Sequence, residues 1–271
     1  MVNEDRIVYA HPYEKCIDFL KSSLIDRDKS HGIEHALAVH KNCVELWFHH
    51  GGESHYYDMI AKTEKDRNST NVDNSNNFDL IINDVNRNSS NKDTNQLKFD
   101  PWFFISASAL LHDVCDHKYK ISETFEEAFH EFILNDVCHG NKGAADIISI
   151  IIEFVSYSKE KKGFLKQANL PVPIMTLRDV VSDADKLEAL GEMGIQRCIE
   201  YTKTIMEQKS INDSVYLDLV MKGVAQHCDE KLLHLLPEYI RTPGGKEMGK
   251  PLHDYVAKWK ESHSRGILCE Q

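Results

Sequence analysis

Residues 102–114 are apolar on nearly every side, which is the pattern of a helix buried at the centre of a core. In residues 33–48, apolar side chains recur with the helical period and form one face. Helical patterns also cover residues 123–135, 143–156, 183–207, 214–236 and 250–262. Alternating strand patterns extend over no more than a few residues, and there is no repeat or βαβ rhythm. We therefore expect an all-α fold, with residues 1–271 forming one domain.

One stretch, residues 66–97, departs from this helical pattern because Asn, Asp and Ser dominate it. Its apolar cluster is confined to residues 78–82, too little apolar surface to offset the entropy lost on ordering. We interpret the stretch as a disordered, flexible insertion on the surface. The alternative is a lid or partner-binding arm carried by Phe78, Leu80 and Ile81.

Composition and charge limit the classes of partner. The formal net charge of -11 opposes binding to a phosphate backbone, so no nucleic-acid partner is expected. A small anionic substrate is still compatible if a metal or a Lys/Arg cluster dominates locally. The seven cysteines are scattered without a CxxC pair, which indicates a reducing, cytoplasmic location. No signal-peptide run or membrane-length apolar run is present, so no membrane partner is expected.

Four chemically distinctive residues lie on segments that read as buried helix. They are His35 in SHGIEHALAV, the pair His112-Asp113 in ASALLHDVCDHKY, and Asp185 in VSDADKLEALG. Imidazole nitrogens and carboxylate oxygens together suit divalent Mn, Fe, Co, Zn or Mg, and such groups are costly to bury without a partner. Neighbours on a helix point about 100° apart, so His112 and Asp113 could both reach a metal beside their helix. Further ligands must come from other helices.

A second His-Asp dipeptide, His253-Asp254 in GKPLHDYVAKW, serves as an internal control. It lies on a segment rich in Lys and Trp near the C-terminus, with no room after it for another ligand. We interpret it as surface or capping chemistry.

The order His, His-Asp, Asp resembles the pattern of the HD-domain phosphohydrolase superfamily. The resemblance extends to one branch, the bacterial HD hydrolases that cleave nucleoside triphosphates to monophosphate and pyrophosphate, and their eukaryotic relatives. The similar stretches are SHGIEHALAV, ALLHDVCDHKY, SYSKE, DADKLEALGEMGIQRCIEY and HCDEKLLHL, which span residue 30 to about residue 245 without the insertion. This resemblance implies a compact helical bundle in which His35, His112, Asp113 and Asp185 hold one divalent ion (Mn, Co, Mg, Fe or Zn).

Two aspartates, Asp183 and Asp185, stand where the family pattern needs one. Residues two apart cannot share a helix face. The resemblance favours Asp185 as the ligand, and we expect Asp183 to cap the helix that begins there.

Residues after the His-Asp pair could supply catalytic groups. Asp116, three residues after Asp113, shares its helix face and could act as a proton shuttle; the alternative is a solvated carboxylate at a helix end. Lys118 could reach a substrate phosphate, although a surface lysine is usually only solvated.

Four more residues are candidates for substrate contact. We place His31, one turn before His35, in the first turn of a helix capped by Ser30 and at the rim of the site; a metal ligand is the alternative, because i, i+4 histidines can share a metal. His117 could be a substrate or outer-sphere group, although most lone histidines are neither. Lys159 and Arg197 follow from the resemblance.

The leading function is hydrolysis of (deoxy)nucleoside triphosphates to monophosphate and pyrophosphate, with a small-molecule nucleotide as the partner and a homodimer compatible with the resemblance. The runner-up is a 5′-nucleotidase acting on deoxynucleoside monophosphates. A non-catalytic HD module that binds a nucleotide or a protein is a third reading, and a binuclear cyclic-nucleotide phosphodiesterase is a fourth. A helical scaffold with incidental histidines would make His112→Ala a stability change alone.

Overall fold

The computed structural model describes residues 8–9, 11–24, 32–70, 97–115, 121–207 and 213–265. Within these ranges the chain is almost entirely helical, so the all-α prediction is confirmed. Two strands, β1 (Val8–Tyr9) and β2 (Leu97–Lys98), form a short parallel pair. The helices are α1 Tyr13–Ser23, α2 Ile33–Val44, α3 Gly52–Thr70, α4 Pro101–Leu111, α5 Glu123–Phe132, α6 Lys142–Val155, α7 Tyr157–Lys161, α8 Phe164–Ala168, α9 Val172–Glu188, α10 Gly191–Glu207, α11 Asp213–His227 and α12 Pro243–Arg265. π-Helical turns occupy Glu45–His49, Ile133–Val137, Cys228–Leu232 and Leu235–Tyr239.

The chain divides into two compact units, Met1–Val181 and Ser182–Gln271. In the first unit α4 is the central helix: every residue from Phe103 to Leu111 is buried, and α1, α2 and α6 pack against it. Its start follows from the sequence, because the Asp100 side chain accepts a hydrogen bond from the Phe103 amide at 2.7 Å and proline occupies the first position. The buried central helix that the sequence predicted is therefore present.

A buried arginine joins three helices of the first unit. Arg178 on α9 is fully buried, and its Nε donates to the Phe154 carbonyl near the end of α6 at 2.7 Å. Its Nη2 contacts Glu160 Oε2 on α7 at 2.9 Å, and its Nη1 contacts Asp179 Oδ1 at 2.8 Å. These charge-assisted hydrogen bonds satisfy a guanidinium that water does not reach.

The second unit contains the end of α9 together with α10, α11 and α12, and α10 packs against the other two. The sequence predicted one helix over residues 183–207, and this is wrong. The helix α9 begins at Val172, with Pro173 in its first turn, where proline costs least. It ends at Glu188, and α10 starts at Gly191, whose φ of +72° is a conformation that favours glycine.

The described residues also revise the ends of the insertion. The helix α3 continues to Thr70, so residues 66–70 are helical, and Leu97 belongs to β2. The rest of the predicted insertion, residues 71–96, lies outside the described residues. The assignment of residues 1–271 to one domain stays a prediction. Among the helices in the described ranges, none is both long and apolar enough to cross a membrane.

Candidate metal centre

Three of the four predicted metal ligands meet in the first unit. His35 lies in the first turn of α2, and His112 and Asp113 follow directly after the buried end of α4. The Nε2 atom of His35 is 3.5 Å from Asp113 Oδ2, and the Nε2 atom of His112 is 3.5 Å from Asp113 Oδ1. The two imidazole rings lie 5.3 Å apart between centroids. One ligand atom from each residue falls within 4.8 Å of the other two.

The two histidines are buried, where polar ring nitrogens are costly without a partner. His35 is 5% exposed and His112 is 8% exposed, whereas the carboxylate of Asp113 is 21% exposed. The Nδ1 atom of His112 lies 2.9 Å from the Ala109 carbonyl. A carbonyl can only accept, so Nδ1 carries a proton, and Nε2 is the ring nitrogen left to act as a ligand atom. A backbone carbonyl that orients a histidine in this way is typical of histidines that ligate metals.

This donor set fits a divalent cation. With Nδ1 directed at the Ala109 carbonyl, Nε2 is the ring nitrogen of His112 that faces Asp113 Oδ1, at 3.5 Å, and a cation bound by both atoms would offset the carboxylate charge. Ligand atoms about 2.1 Å from a shared ion, at tetrahedral angles, are about 3.4 Å apart. Two nitrogens and one carboxylate suit Mn, Fe, Co or Zn, with Mg also compatible with the oxygen ligand.

The two aspartates of the DAD sequence lie on α9 in the second unit. Asp185 is half-buried, and its role as the fourth ligand stays a prediction. The predicted role of Asp183 as a cap of its own helix is wrong, because α9 begins eleven residues earlier at Val172. Asp183 is fully buried and accepts from the amide of Arg241 at 3.0 Å, and from the amide and hydroxyl of Thr242, each at 2.7 Å.

Asp183 therefore holds the start of a different helix, α12. The hydroxyl of Thr242 in turn accepts from the Gly245 amide at 2.9 Å, as an N-cap does. A Cβ on Gly245 would lie 2.6 Å from Asp183 Oδ2, so only glycine allows this close approach. Burial raises the pKa of Asp183 to about 6, although the hydrogen bonds from Thr242 and the nearby Lys186 act to lower it.

The remaining predicted site residues are placed as follows. Asp116, His117, Lys118, His31 and Ser30 lie outside the described residues. The predicted helix start with Ser30 as cap and His31 in the first turn is wrong, because α2 begins at Ile33 with Gly32 at its N-cap position. The side chain of Lys159 on α7 is 41% exposed, and its Nζ lies 3.4 Å from Glu153 Oε1. Arg197 on α10, in the second unit, has its Nη1 3.5 Å from Glu188 Oε1. The catalytic and substrate roles of all these residues stay predictions.

The second His-Asp dipeptide behaves as the sequence indicated. His253 and Asp254 lie on α12, Asp254 is exposed, and His253 Nε2 is 3.2 Å from the Leu233 carbonyl. Among the described residues, the group formed by His35, His112 and Asp113 is the one in which three potential ligands converge.

Comparisons with known proteins support the fold. A crystal structure of YpgQ from Bacillus subtilis aligns with a TM-score of 0.55 over 96% of this chain and 98% of that chain, at 17% sequence identity. The fold is all-α and HD-like. The chain is also 28% identical over 197 residues to the uncharacterized protein L803 of Acanthamoeba polyphaga mimivirus. The aligned region covers 58% of this chain and 76% of that protein. No protein-family model matches the chain.

Proposed function

We propose that this chain is a metal-dependent phosphohydrolase that acts on nucleotides. The observation that carries the proposal is the convergence of His35, His112 and Asp113 within 4.8 Å, at the buried end of α4. The HD-like fold agrees with that reading. We further propose that Asp185 is a fourth ligand, and this assignment rests on the sequence pattern alone.

Each residue of the metal centre has a distinct proposed role. A bound divalent ion supplies a Lewis acid for phosphoryl oxygens and lowers the pKa of bound water. The hydrogen bond from His112 Nδ1 to the Ala109 carbonyl keeps Nε2 available as a ligand atom. Asp113 contributes negative charge, and its partial exposure places it at the side that solvent reaches. Asp116 is proposed as the proton shuttle and Lys118 as a group that contacts phosphate.

For the reaction, we propose hydrolysis of (deoxy)nucleoside triphosphates to monophosphate and pyrophosphate, because DADKLEALGEMGI resembles that branch of HD hydrolases. We propose His31, His117, Lys159 and Arg197 as contacts to the nucleotide. A 5′-nucleotidase acting on deoxynucleoside monophosphates is the second candidate, since it needs the same metal ligands and differs in the number of phosphates that the site must accept.

The test compares two matched variants of the full chain. His112→Gln removes a histidine from the cluster, and His253→Gln removes the histidine of the second His-Asp dipeptide. Each protein is stripped of metal, reloaded with Mn, Co or Mg, and assayed with dATP for pyrophosphate and for orthophosphate. We expect pyrophosphate from the wild type and from His253→Gln. We expect His112→Gln to lose metal and at least about a hundredfold in turnover, while circular dichroism shows a retained helical fold.

The outcomes separate the competing functions. Orthophosphate from dAMP without pyrophosphate from dATP would favour the 5′-nucleotidase. Stoichiometric metal binding with no turnover of any nucleotide would favour a non-catalytic binding module, and two tightly bound ions per chain would favour a binuclear site. Equal metal content in His112→Gln and His253→Gln would contradict the metal centre itself.

A further inference from the structure

The first unit contains a cavity of about 260 Å³, which none of the metal-centre residues lines. It lies where the first turns of α1 and α4 meet α2. The residues that line it include Tyr13, His40, Asp100, Trp102 and Ser106, together with His11 and Pro12.

This cavity and the metal centre lie on different sides of the same two helices. On α2, His40 follows His35 by five residues, and on α4, Ser106 precedes His112 by six. These steps rotate the side chains by about 140° and about 120° around their helices. A molecule in the cavity would therefore occupy a site separate from the metal centre.

Aromatic rings form the walls of the cavity. The ring of His40 contacts Tyr13 at 5.0 Å and Trp102 at 5.5 Å between centroids, and Trp102 in turn contacts Phe48 at 4.9 Å. Tyr13 is 42% exposed, so water reaches its ring. A flat ligand could stack on these faces, as offset and tilted aromatic pairs do.

Polar groups lie among these rings. The Nε2 atom of His40 is 2.9 Å from the hydroxyl of the buried Ser106. Burial holds the pKa of His40 at about 4, so its imidazole is neutral at physiological pH. The remaining charged group is the Asp100 carboxylate, and none of the described lining residues is a lysine or an arginine. The described lining therefore provides no cationic side chain for a phosphate and does provide hydrogen-bond acceptors.

The two helix starts decide between a cation and a neutral ligand. The helices α1 and α4 both begin at this cavity, and each start carries partial positive charge. That charge offsets part of the negative charge of Asp100, so a full cation gains little there. A neutral ring with N–H donors can still stack and donate to the carboxylate.

We infer that this cavity binds a planar nitrogen heterocycle of the nucleobase class, which stacks on Tyr13 and Trp102 and donates an N–H to Asp100. The inference does not depend on the proposed hydrolase function, because it involves neither the metal centre nor turnover.

The experiment measures binding of adenosine to the metal-stripped full chain by isothermal titration and saturation-transfer NMR. Adenosine has no phosphate that could reach a metal, and purine riboside is its match without the amino group. Choline tests the cation alternative. We expect adenosine to bind about tenfold more tightly than purine riboside, which is the loss expected for one hydrogen bond to a charged group. Choline should not bind measurably.

Three variants locate the binding. Asp100→Asn keeps a good N-cap for α4 but removes the carboxylate, and should weaken adenosine binding about tenfold. Tyr13→Leu keeps an apolar side chain but removes the ring, and should weaken it about fivefold. Tyr255→Leu changes a tyrosine of similar exposure, 39%, in the second unit, and should leave affinity unchanged. The inference is overturned if adenosine does not bind, if choline or purine riboside binds as tightly, or if Asp100→Asn and Tyr13→Leu have no effect.

Discussion

Replacing Asp183 with alanine separates a structural aspartate from a predicted metal ligand two residues away. The Asp183 carboxylate accepts from two backbone amides and one hydroxyl at the start of α12, through Arg241 and Thr242. Thr242 is buried, and Asp183 itself is fully buried. In Asp183→Ala these three donors lose their acceptor in a region that water reaches poorly.

The expected cost follows from those contacts. Each buried donor left without an acceptor costs about 1–3 kcal/mol. Partial entry of water reduces the sum, so we expect Asp183→Ala to lower the free energy of unfolding by about 3–5 kcal/mol. For a chain of 271 residues, that corresponds to a fall in melting temperature of about 10 °C. Asp183→Asn should cost about 1–2 kcal/mol, because its amide oxygen still accepts while its NH2 group faces a donor.

The assay is thermal and urea unfolding followed by circular dichroism, with metal content measured on the same samples. Asp185→Ala is the matched variant: it should lower metal occupancy and change the stability of the metal-free chain by less than about 1 kcal/mol. The reasoning is refuted if metal-free Asp183→Ala is as stable as the wild type. It is also refuted if Asp183→Ala loses metal while remaining stable and Asp185→Ala retains it.

Three further predictions concern the first unit. The lowered pKa of His40 means that the fold favours its neutral form. The stability that this form contributes is complete above about pH 6.5 and falls by up to about 3 kcal/mol as the pH drops to about 4. His40→Gln should therefore make stability less dependent on pH in acid unfolding between these two values. Ser106→Ala should cost about 1 kcal/mol because its hydroxyl pairs with His40, whereas Ser108→Ala should be neutral or stabilising in urea unfolding, because its buried hydroxyl has no hydrogen-bond partner among the described residues. Arg178→Leu should lower stability by about 3–5 kcal/mol by removing the guanidinium from the buried carboxylate of Glu160, and the double change with Glu160→Leu should recover much of that loss in thermal unfolding.

The all-α fold class could be predicted from the sequence because the helical period of apolar residues is a local property of each segment. The buried helix α4 was recognisable from its apolar residues and its Asp-Pro start, since both are local signals. The break between α9 and α10 was missed. The sequences before and after Gly191 are both amphipathic. The break depends on a positive φ at Gly191, and the sequence alone does not show which glycine adopts one.

Contacts between residues that are distant in the sequence could not be predicted either. Nothing near Asp183 indicates that its carboxylate binds Thr242, fifty-nine residues later, because a buried aspartate in a helix reads equally well as a ligand or a cap. The sequence RTPGG did carry a signal, a threonine before proline, which is typical of a helix N-cap. Arg178 could likewise have been noticed as a charge on an otherwise apolar helix face, but not its partner Glu160.

The two His-Asp dipeptides show what the metal-centre prediction depended on. The same two residues lie at the end of α4 in one case and within α12 in the other. A helix that is apolar on all sides, such as α4, must be surrounded by other helices. The residues that directly follow it, His112 and Asp113, therefore lie among those helices, and His35 of α2 is close to Asp113. An amphipathic helix such as α12 exposes one side, and there Asp254 reaches water and needs no cation. The chemistry of each dipeptide therefore depends on the burial of the helix that it ends or belongs to, and the sequence shows that burial in the apolar residues around the dipeptide rather than in the dipeptide itself.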